Sequence, residues 1–415
     1  MAVDLKSAAV GGMAWALAER AAAYVLQFAA GVAVARRLSP GDYGMMGMLL
    51  FFITIAFVVA DGGMASALIQ KRDRTGDDFS TAFWYNAAAS LAAYAAIFLC
   101  APAIASFYGV AELVPVARTV ALDVVICAAA VVPTACLTAR LDFRTQTAAT
   151  VSALVVSGAV GIGLAYSGFG VWALVWQALS ASAVRLAVCG AAAGWRPGLS
   201  FSAESFRSLF RFGSRMFAST LVGEAYSNCH ALVIGRRFSA ADIGLYNRGR
   251  QLADIAAVAA SEAAVKVAYP VFAELRDDED RLMSAYRRFA LLPLLAIVPA
   301  VAAAWVFAEP LVSLLLGERW LGCVPYLRVL CFGSVWILPA RVGMSLVGAT
   351  GRSDLVLKLE LLKKPLGFAI LFATMPFGVW WICVGAAAFS FAEFAISAIA
   401  ATRIRGGRAV RPAAP

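Results

Sequence analysis

The sequence predicts an all-α polytopic membrane protein, with about twelve transmembrane helices in two six-helix lobes related by internal duplication. Three observations predict it: the composition, the distribution of Lys and Arg, and an ordered series of internal matches. Of the 415 residues, 62% are hydrophobic and only 14% are charged, and mean hydropathy is +0.80. Soluble domains run at roughly 45–50% apolar and about 25% charged. A globule of this length has too little interior to hold the excess. A soluble enzyme and a disordered chain are both excluded.

A spanning helix needs about 20 largely apolar residues. Reading along the chain gives twelve such runs, at 10–35, 44–69, 82–105, 113–139, 146–167, 170–193, 212–235, 245–270, 289–308, 325–349, 355–376 and 379–402. The runs are continuous, whereas a barrel would show short alternating segments. The eighth holds five charges, and the eleventh opens in the mixed stretch L-K-L-E-L-L-K-K-P. The first carries Glu19 and Arg20 and no small-residue cleavage site, so it reads as a spanning helix and not as a removed signal peptide.

Orientation follows from the basic residues. With the N-terminus inside, inner segments carry 22 Lys and Arg, while the outer ones carry only Arg36, Arg37, Arg236, Arg237 and Arg319. That bias places both termini in the cytoplasm. It also accounts for the net charge of +10 without nucleic acid.

R-R-L-S-P-G-D-Y-G at 36–44 recurs as R-R-F-S-A-A-D-I-G at 236–244, an offset of 200. F-G-V-W at 169–172 recurs at 377–380, an offset of 208. Between them V-V-P at 131–133 matches I-L-P at 337–339, Arg144 matches Arg352, and the charged stretch 67–80 matches 274–289. The slowly rising offsets are those of a diverged duplication. The expected organisation is an N-terminal lobe 1–196, a cytoplasmic linker 197–211, a C-terminal lobe 212–402 and a basic tail 403–415. Six spans is an even number, so the repeats are parallel, and such lobes commonly enclose a path and rock about it. Architecture alone thus favours a transporter.

Locally, S-P-G-D-Y-G offers a capping residue and a Pro/Gly turn before the next helix. F-G-V-W reads as a tight outer turn with an interfacial Trp. L-V-S-L-L-L-G-E-R-W at 311–320 reads as a half-helix at the outer interface, and 274–289 as an amphipathic cytoplasmic connector. The eight cysteines are scattered with no C-x-x-C and read as buried free thiols. His230 is the single histidine, so no His-based metal site exists. It reads as a packing residue ahead of a proton relay.

Taken together, A-R-R-L-S-P-G-D-Y-G, S-G-F-G-V-W-A-L-V-W-Q, F-S-A-A-D-I-G-L-Y-N-R-G-R-Q-L, Y-P-V-F-A-E-L-R-D-D and L-L-L-G-E-R-W resemble the Wzx-type oligosaccharide flippases. These form the polysaccharide transporter family of the multidrug/oligosaccharidyl-lipid/polysaccharide exporter superfamily, which includes the MATE proteins. The resemblance covers about residues 10–400 and is most specific over 236–282; members often have fourteen spans, against twelve expected here. It implies flipping of polyprenyl-diphosphate-linked oligosaccharide repeat units across the bacterial inner membrane for surface polysaccharide (exopolysaccharide, O-antigen or capsule). The implied partners are that lipid-linked oligosaccharide, membrane lipid and other polysaccharide-assembly membrane proteins. The architecture suits such a cargo, because sugar and diphosphate resist hydrocarbon while the polyprenyl tail is at home in it. A water-filled cationic cavity with alternating access needs no covalent chemistry and no cofactor, with coupling to an H+ or Na+ gradient left open.

Ionisable groups inside spans are costly, and each is a functional candidate. The cationic candidates for a substrate-binding cavity are Arg20, Arg118, Arg248, Arg250, Lys266 and Arg341, since the forked donors of arginine suit a diphosphate. The acidic candidates for ion coupling or charge pairing are Glu19, Asp61, Asp123, Glu224, Asp254 and Glu262. The five charges of the eighth span fall within an arc of about 160° at 100° per residue, as a cavity wall would show. The blander readings are specific too. Arg118, Arg328 and Lys266 lie near helix ends, where they can snorkel. Arg250 with Asp254, and Glu262 with Lys266, are i,i+4 pairs that can neutralise one another.

Two other functions compete. A membrane polymerase or glycosyltransferase would want a large catalytic loop, yet the longest non-spanning segment is about 18 residues, and no nucleotide or metalloprotease motif occurs. S-G-A-V-G-I-G at 157–163 lies mid-span, where small residues serve helix packing. A cation-coupled small-molecule exporter of the same superfamily is disfavoured by the basic groups inside the spans.

Overall fold

Helix starts in this chain are written in its turns. In the computed structural model, which describes residues 26–404 except 72, 141 and 277, a first helix α1 (Leu26–Ala35) leads into the turn Arg36–Ser39. The Ser39 hydroxyl accepts from the Asp42 amide (3.2 Å), and the Ser39 amide donates to the Asp42 carboxylate (2.8 Å). This reciprocal cap, with Pro40 in the first turn, starts α2 (Pro40–Asp61). Ser39→Ala should cost about 1 kcal/mol, read as a lower Tm of the detergent-solubilised protein.

The second expected span is broken. Gly62 and Gly63 both have positive φ (55° and 77°), which ends α2 and starts the short α3 (Met64–Gln70) at an angle. Thr75 and Asp78 form a second reciprocal cap on α4 (Gly76–Tyr108), and Asp78, fully buried, holds the Lys71 ammonium at 2.7 Å. Then come α5 (Leu113–Val120), α6 (Leu122–Ala139), α7 (Phe143–Tyr166) and α8 (Val171–Ala192). Asp142 caps α7 through the Thr145 hydroxyl and amide, and these donors hold its carboxyl below the usual carboxylate range.

Ser202 caps α9 (Ala203–Arg237), so the segment expected as a linker over 197–211 is helical from Ala203. By contacts the chain divides into Met1–Ala241 and Asp242–Pro415. The boundary thus falls after α9, not at the linker expected from the duplication. The physical reason is packing. Leu209 is buried with Met64, Leu68, Ala82 and Val132, and the Phe206 ring meets the Tyr85 ring at 5.6 Å. Gly213 also lies backbone to backbone against Gly63, with no room for a Cβ on Gly63.

The second unit holds most of α10 (Ala240–Glu274), then α11 (Glu279–Leu291), α12 (Leu294–Val306) and α13 (Ala308–Leu315). A 3-10 turn (Glu318–Cys323) leads to α14 (Val324–Ser334), α15 (Ile337–Ala349), α16 (Ser353–Thr374) and α17 (Val379–Ile404). The amphipathic stretch near 274–289 is α11, whose Leu282, Met283, Tyr286 and Ala290 are buried. The half-helix expected at 311–320 is α13 followed by the 3-10 turn.

The duplication is visible in local geometry. Ser39 precedes Pro40 of α2 as Ser239 precedes Ala240 of α10. Gly170 (φ 54°) precedes α8 as Gly378 (φ 110°) precedes α17, and at both sites the positive φ favours glycine. Pro133 and Pro339 lie inside α6 and α15.

Among the described residues there is no strand, and nine helical segments are long and apolar enough to cross a membrane. Of the other three expected spans, the first lies mostly outside the described residues. The seventh and eleventh are continuous helices, α9 and α16, whose charged residues lower their hydropathy. Cys100 is exposed, Cys127 half-buried, and the remaining six cysteines are buried and unbridged.

Candidate functional site

Most of the charge inside the second unit lines a few facing helices. On α10, Tyr246, Arg250, Asp254 and Ser261 follow at spacings of four, four and seven residues, which places them along one side of the helix. Arg250 Nε lies 3.5 Å from Asp254 Oδ2, with the two side chains 44% and 24% exposed. The buried Tyr246 hydroxyl is a further neighbour of the Arg250 guanidinium. From α15, Arg341 Nη1 donates to Ser261 Oγ at 3.2 Å, and Asp254 lies within its electrostatic reach.

The charges continue onto two more helices. Lys363 on α16 is 2% exposed, an unusual place for an ammonium. Its Nζ lies 3.5 Å from Glu360 Oε1, and Lys364 Nζ lies 3.5 Å from Glu360 Oε2. Glu393 of α17 is within electrostatic reach of Lys363, Lys364, Glu360 and Arg341. Arg341 therefore links the Asp254 end of the chain to the Glu393 end.

Other candidates fall elsewhere. Arg248 stacks over the Trp320 ring, 5.8 Å from its centroid, and bonds Gln251, so it belongs to the 3-10 turn and not to the Arg250 side. Glu262 and Lys266 are exposed. Arg328 in the middle of α14 pairs with the exposed Glu309 of α13 at 3.2 Å. Glu19 and Arg20 lie outside the described residues.

In the first unit the charges are dispersed. Asp61 accepts from the Gly63 amide (3.1 Å) and the Ala65 amide (3.3 Å), so its carboxylate caps α3 at the glycine break. Asp123 neighbours Ser182 and Cys127, whose own side chains meet at 3.3 Å. The Arg118 guanidinium lies 4.3 Å above the Phe98 ring. Glu224 takes a hydrogen bond from Asn228 Nδ2 at 3.2 Å on α9. His230 is buried edge-on against Tyr226, with ring centroids 6.0 Å apart. Among the described residues, no group of three or more His, Cys, Asp or Glu is placed to hold a metal ion.

Spacing and composition alone do not single out Lys363, Glu393, Tyr246 or Ser261. Lys363 reads as part of an inner connector because the eleventh run begins in charged residues. Glu393 does carry a signal, since it is the lone acid in the apolar run F-S-F-A-E-F-A.

The family model described as "Polysaccharide biosynthesis protein" matches residues 33–325, well over half of the chain. The chain belongs to this family. Among relatives of the family, the succinoglycan biosynthesis transport protein ExoT of Rhizobium meliloti is 22% identical over 375 residues, covering 89% of this chain and 76% of its own. The lipopolysaccharide biosynthesis protein WzxC of Escherichia coli is 25% identical over 370 residues, with coverage of 87% and 74%. Among solved structures, the lipid II flippase MurJ in an inward closed conformation superposes with a TM-score of 0.77 at 9% identity, covering 92% of this chain and 86% of its own. An inward-facing MATE family multidrug transporter of the MOP superfamily gives 0.71 at 16% identity, covering 93% and 96%. The fold is therefore that of the MOP superfamily, and the chain is a multi-pass membrane protein. The resemblance seen in the sequence motifs holds at the level of family and fold.

Proposed function

We propose that the chain flips a polyprenyl-diphosphate-linked oligosaccharide across the bacterial inner membrane for surface polysaccharide assembly. The relatives' roles in polysaccharide biosynthesis and transport support the cargo, and the MurJ-like fold supports the mode of movement. The observation that carries the reading is the run of charge along the helices of the second unit, from Arg250 and Asp254 on α10 through Arg341 on α15 to Lys363 on α16 and Glu393 on α17; α10 and α17, and the segment that contains α15, are long and apolar enough to cross a membrane. Hydrocarbon would tolerate that run only where protein or water faces it. Cationic members would neutralise a diphosphate, and acidic members would hold them in place or respond to an ion gradient, H+ or Na+. The head group would cross in a hydrated path while its tail stays in lipid, with no bond made or broken.

The test is deletion of the gene, followed by analysis of surface polymer and of membrane lipid-linked sugars. Loss of polymer with complete repeat units accumulating on lipid facing the cytoplasm is the expected result. Truncated lipid-linked units would show an assembly enzyme instead, and intact polymer with lost drug tolerance would show a small-molecule exporter.

A further inference from the structure

The first unit carries an apolar groove that the charge-lined reading does not use. It is lined by Leu122 and Ile126 of α6, Ala159, Val160, Gly163 and Leu164 of α7, and part of α8 from Trp176 to Ala183, and its volume is about 720 Å³. That lies within the roughly 300–1,000 Å³ usual for small-molecule sites. Ser180 is the only hydroxyl among the lining residues. Trp176 and Leu122 on its walls are 49% and 40% exposed, so the groove is open to the outside of the unit. All three helices are long and apolar enough to span the membrane. What enters sideways from the bilayer is a hydrocarbon chain.

One end of the groove is marked by charge. On α8 the lining runs from Trp176, in the second turn, to Ala183, roughly 10 Å along the helix at 1.5 Å per residue. The groove thus lies in the half of a roughly 30 Å hydrocarbon core that adjoins one interface. The Lys/Arg bias puts that interface outside. Arg118 lies one turn before Leu122, and the Arg37 guanidinium sits 4.4 Å over the ring of Tyr166, two residues beyond Leu164. Among the described residues neither arginine is in an ion pair, though Arg118 Nε donates to the Phe98 carbonyl at 3.3 Å and its guanidinium lies over the Phe98 ring of α4. An apolar trough with two arginines outside any ion pair near the same end of its helices is complementary to a lipid with a long tail and a phosphate head.

We propose that this groove on α6, α7 and α8 holds the polyprenyl tail of the cargo in the outer leaflet, with Arg37 and Arg118 at its diphosphate. The proposal rests on the flippase reading, and it places an exit site on the outward end of the first unit, built from different residues than the charges of the second. A lipid delivered there stays attached to the protein by its tail after the sugar has reached the outer side.

The experiment uses the full chain in phosphatidylcholine vesicles and, as probe, a sugar-free polyprenyl diphosphate with a photoreactive diazirine in its tail. Illumination should label peptides covering Leu122–Ile126 and Trp176–Ala183. Gly163→Leu should fill the groove and remove this label, because Gly163 lines it and a Cβ there meets nothing within 4 Å. Arg37→Gln with Arg118→Gln should weaken labelling about ten-fold. This second variant carries the test if the first is misfolded. Excess phosphatidylglycerol should not displace the probe. Label spread evenly over the lipid-facing helices, label undiminished in both variants, or equal displacement by phosphatidylglycerol would each overturn the assignment. So would label blocked only by self-association of the protein. Complementation of the deletion strain by the wild-type gene keeps the two readings apart. Export without groove labelling sinks the groove alone, and groove labelling without export sinks the flippase reading.

Discussion

Arg250→Ala is expected to reduce export by on the order of ten- to a hundred-fold, while the protein remains at normal level in the membrane. The loss of a hydrogen bond to a charged group costs roughly 1.5–3 kcal/mol, which converts to that range. Arg250 is chosen because its ion pair is loose. At 3.5 Å from Asp254 it lies beyond the roughly 2.7–2.9 Å of a tight charge-assisted bond, and the side chain is 44% exposed. A planar guanidinium with five donors in that setting retains some for an incoming anion. The decisive companion is Arg250→Ala with Asp254→Ala. If export returns in the double variant, the pair only neutralised itself within the helix. If export stays lost, the positive charge is what matters. Export of complete repeat units can be scored in the deletion strain as surface polymer, with immunoblots of the membrane fraction as the control.

Gly63→Val should act on the fold itself. Gly63 has φ 77°, and a side chain there would run into the backbone of Gly213. The left-handed conformation costs a residue with a Cβ roughly 1–2 kcal/mol, and forcing atoms into a packed contact typically adds about 1–3 kcal/mol. A total of about 3 kcal/mol or more is a large share of a typical net stability of roughly 5–15 kcal/mol. The expected result is little folded protein and a sharply lowered Tm in detergent. Gly223→Ala on α9 is the matched control, since nothing lies within 4 Å of its Cβ. A Gly63→Val protein as stable as this control would mean that α3 and α9 do not meet as described.

The fold is legible in the sequence because its cause is coarse. Apolar runs of spanning length, a one-sided distribution of Lys and Arg and an ordered set of repeated motifs each report a property of long segments, and side-chain detail hardly disturbs them. The turns are legible for a different reason: S-P-G-D and F-G-V-W encode caps and positive φ that depend on single residue types. The break at Gly62–Gly63 is hidden, because a run of apolar residues looks the same whether one helix crosses or two meet at an angle. The position of α9 is hidden as well. Its kinship, read from the duplication, points to the second half of the chain, whereas its packing depends on the absence of side chains at Gly63 and Gly213. Within the charged groups, spacing along α10 correctly puts Arg250 and Asp254 within reach of each other. It cannot see that Glu393 and Lys363 come within electrostatic reach of each other from two helices, nor that Arg248 turns toward Trp320.

The matched glycines before α8 and α17 bear on ancestry. Each sits at the same step of its repeat with a backbone conformation favouring glycine, as a turn inherited from one ancestral copy would. A six-helix ancestor with such a turn would have begun and ended on one side of the membrane. A short stretch of new sequence would then be enough to join the end of one copy to the start of the next. Fusion of two such copies would need no inversion in the bilayer, and each half would then be free to specialise, in keeping with the charges along the second unit and the apolar groove of the first.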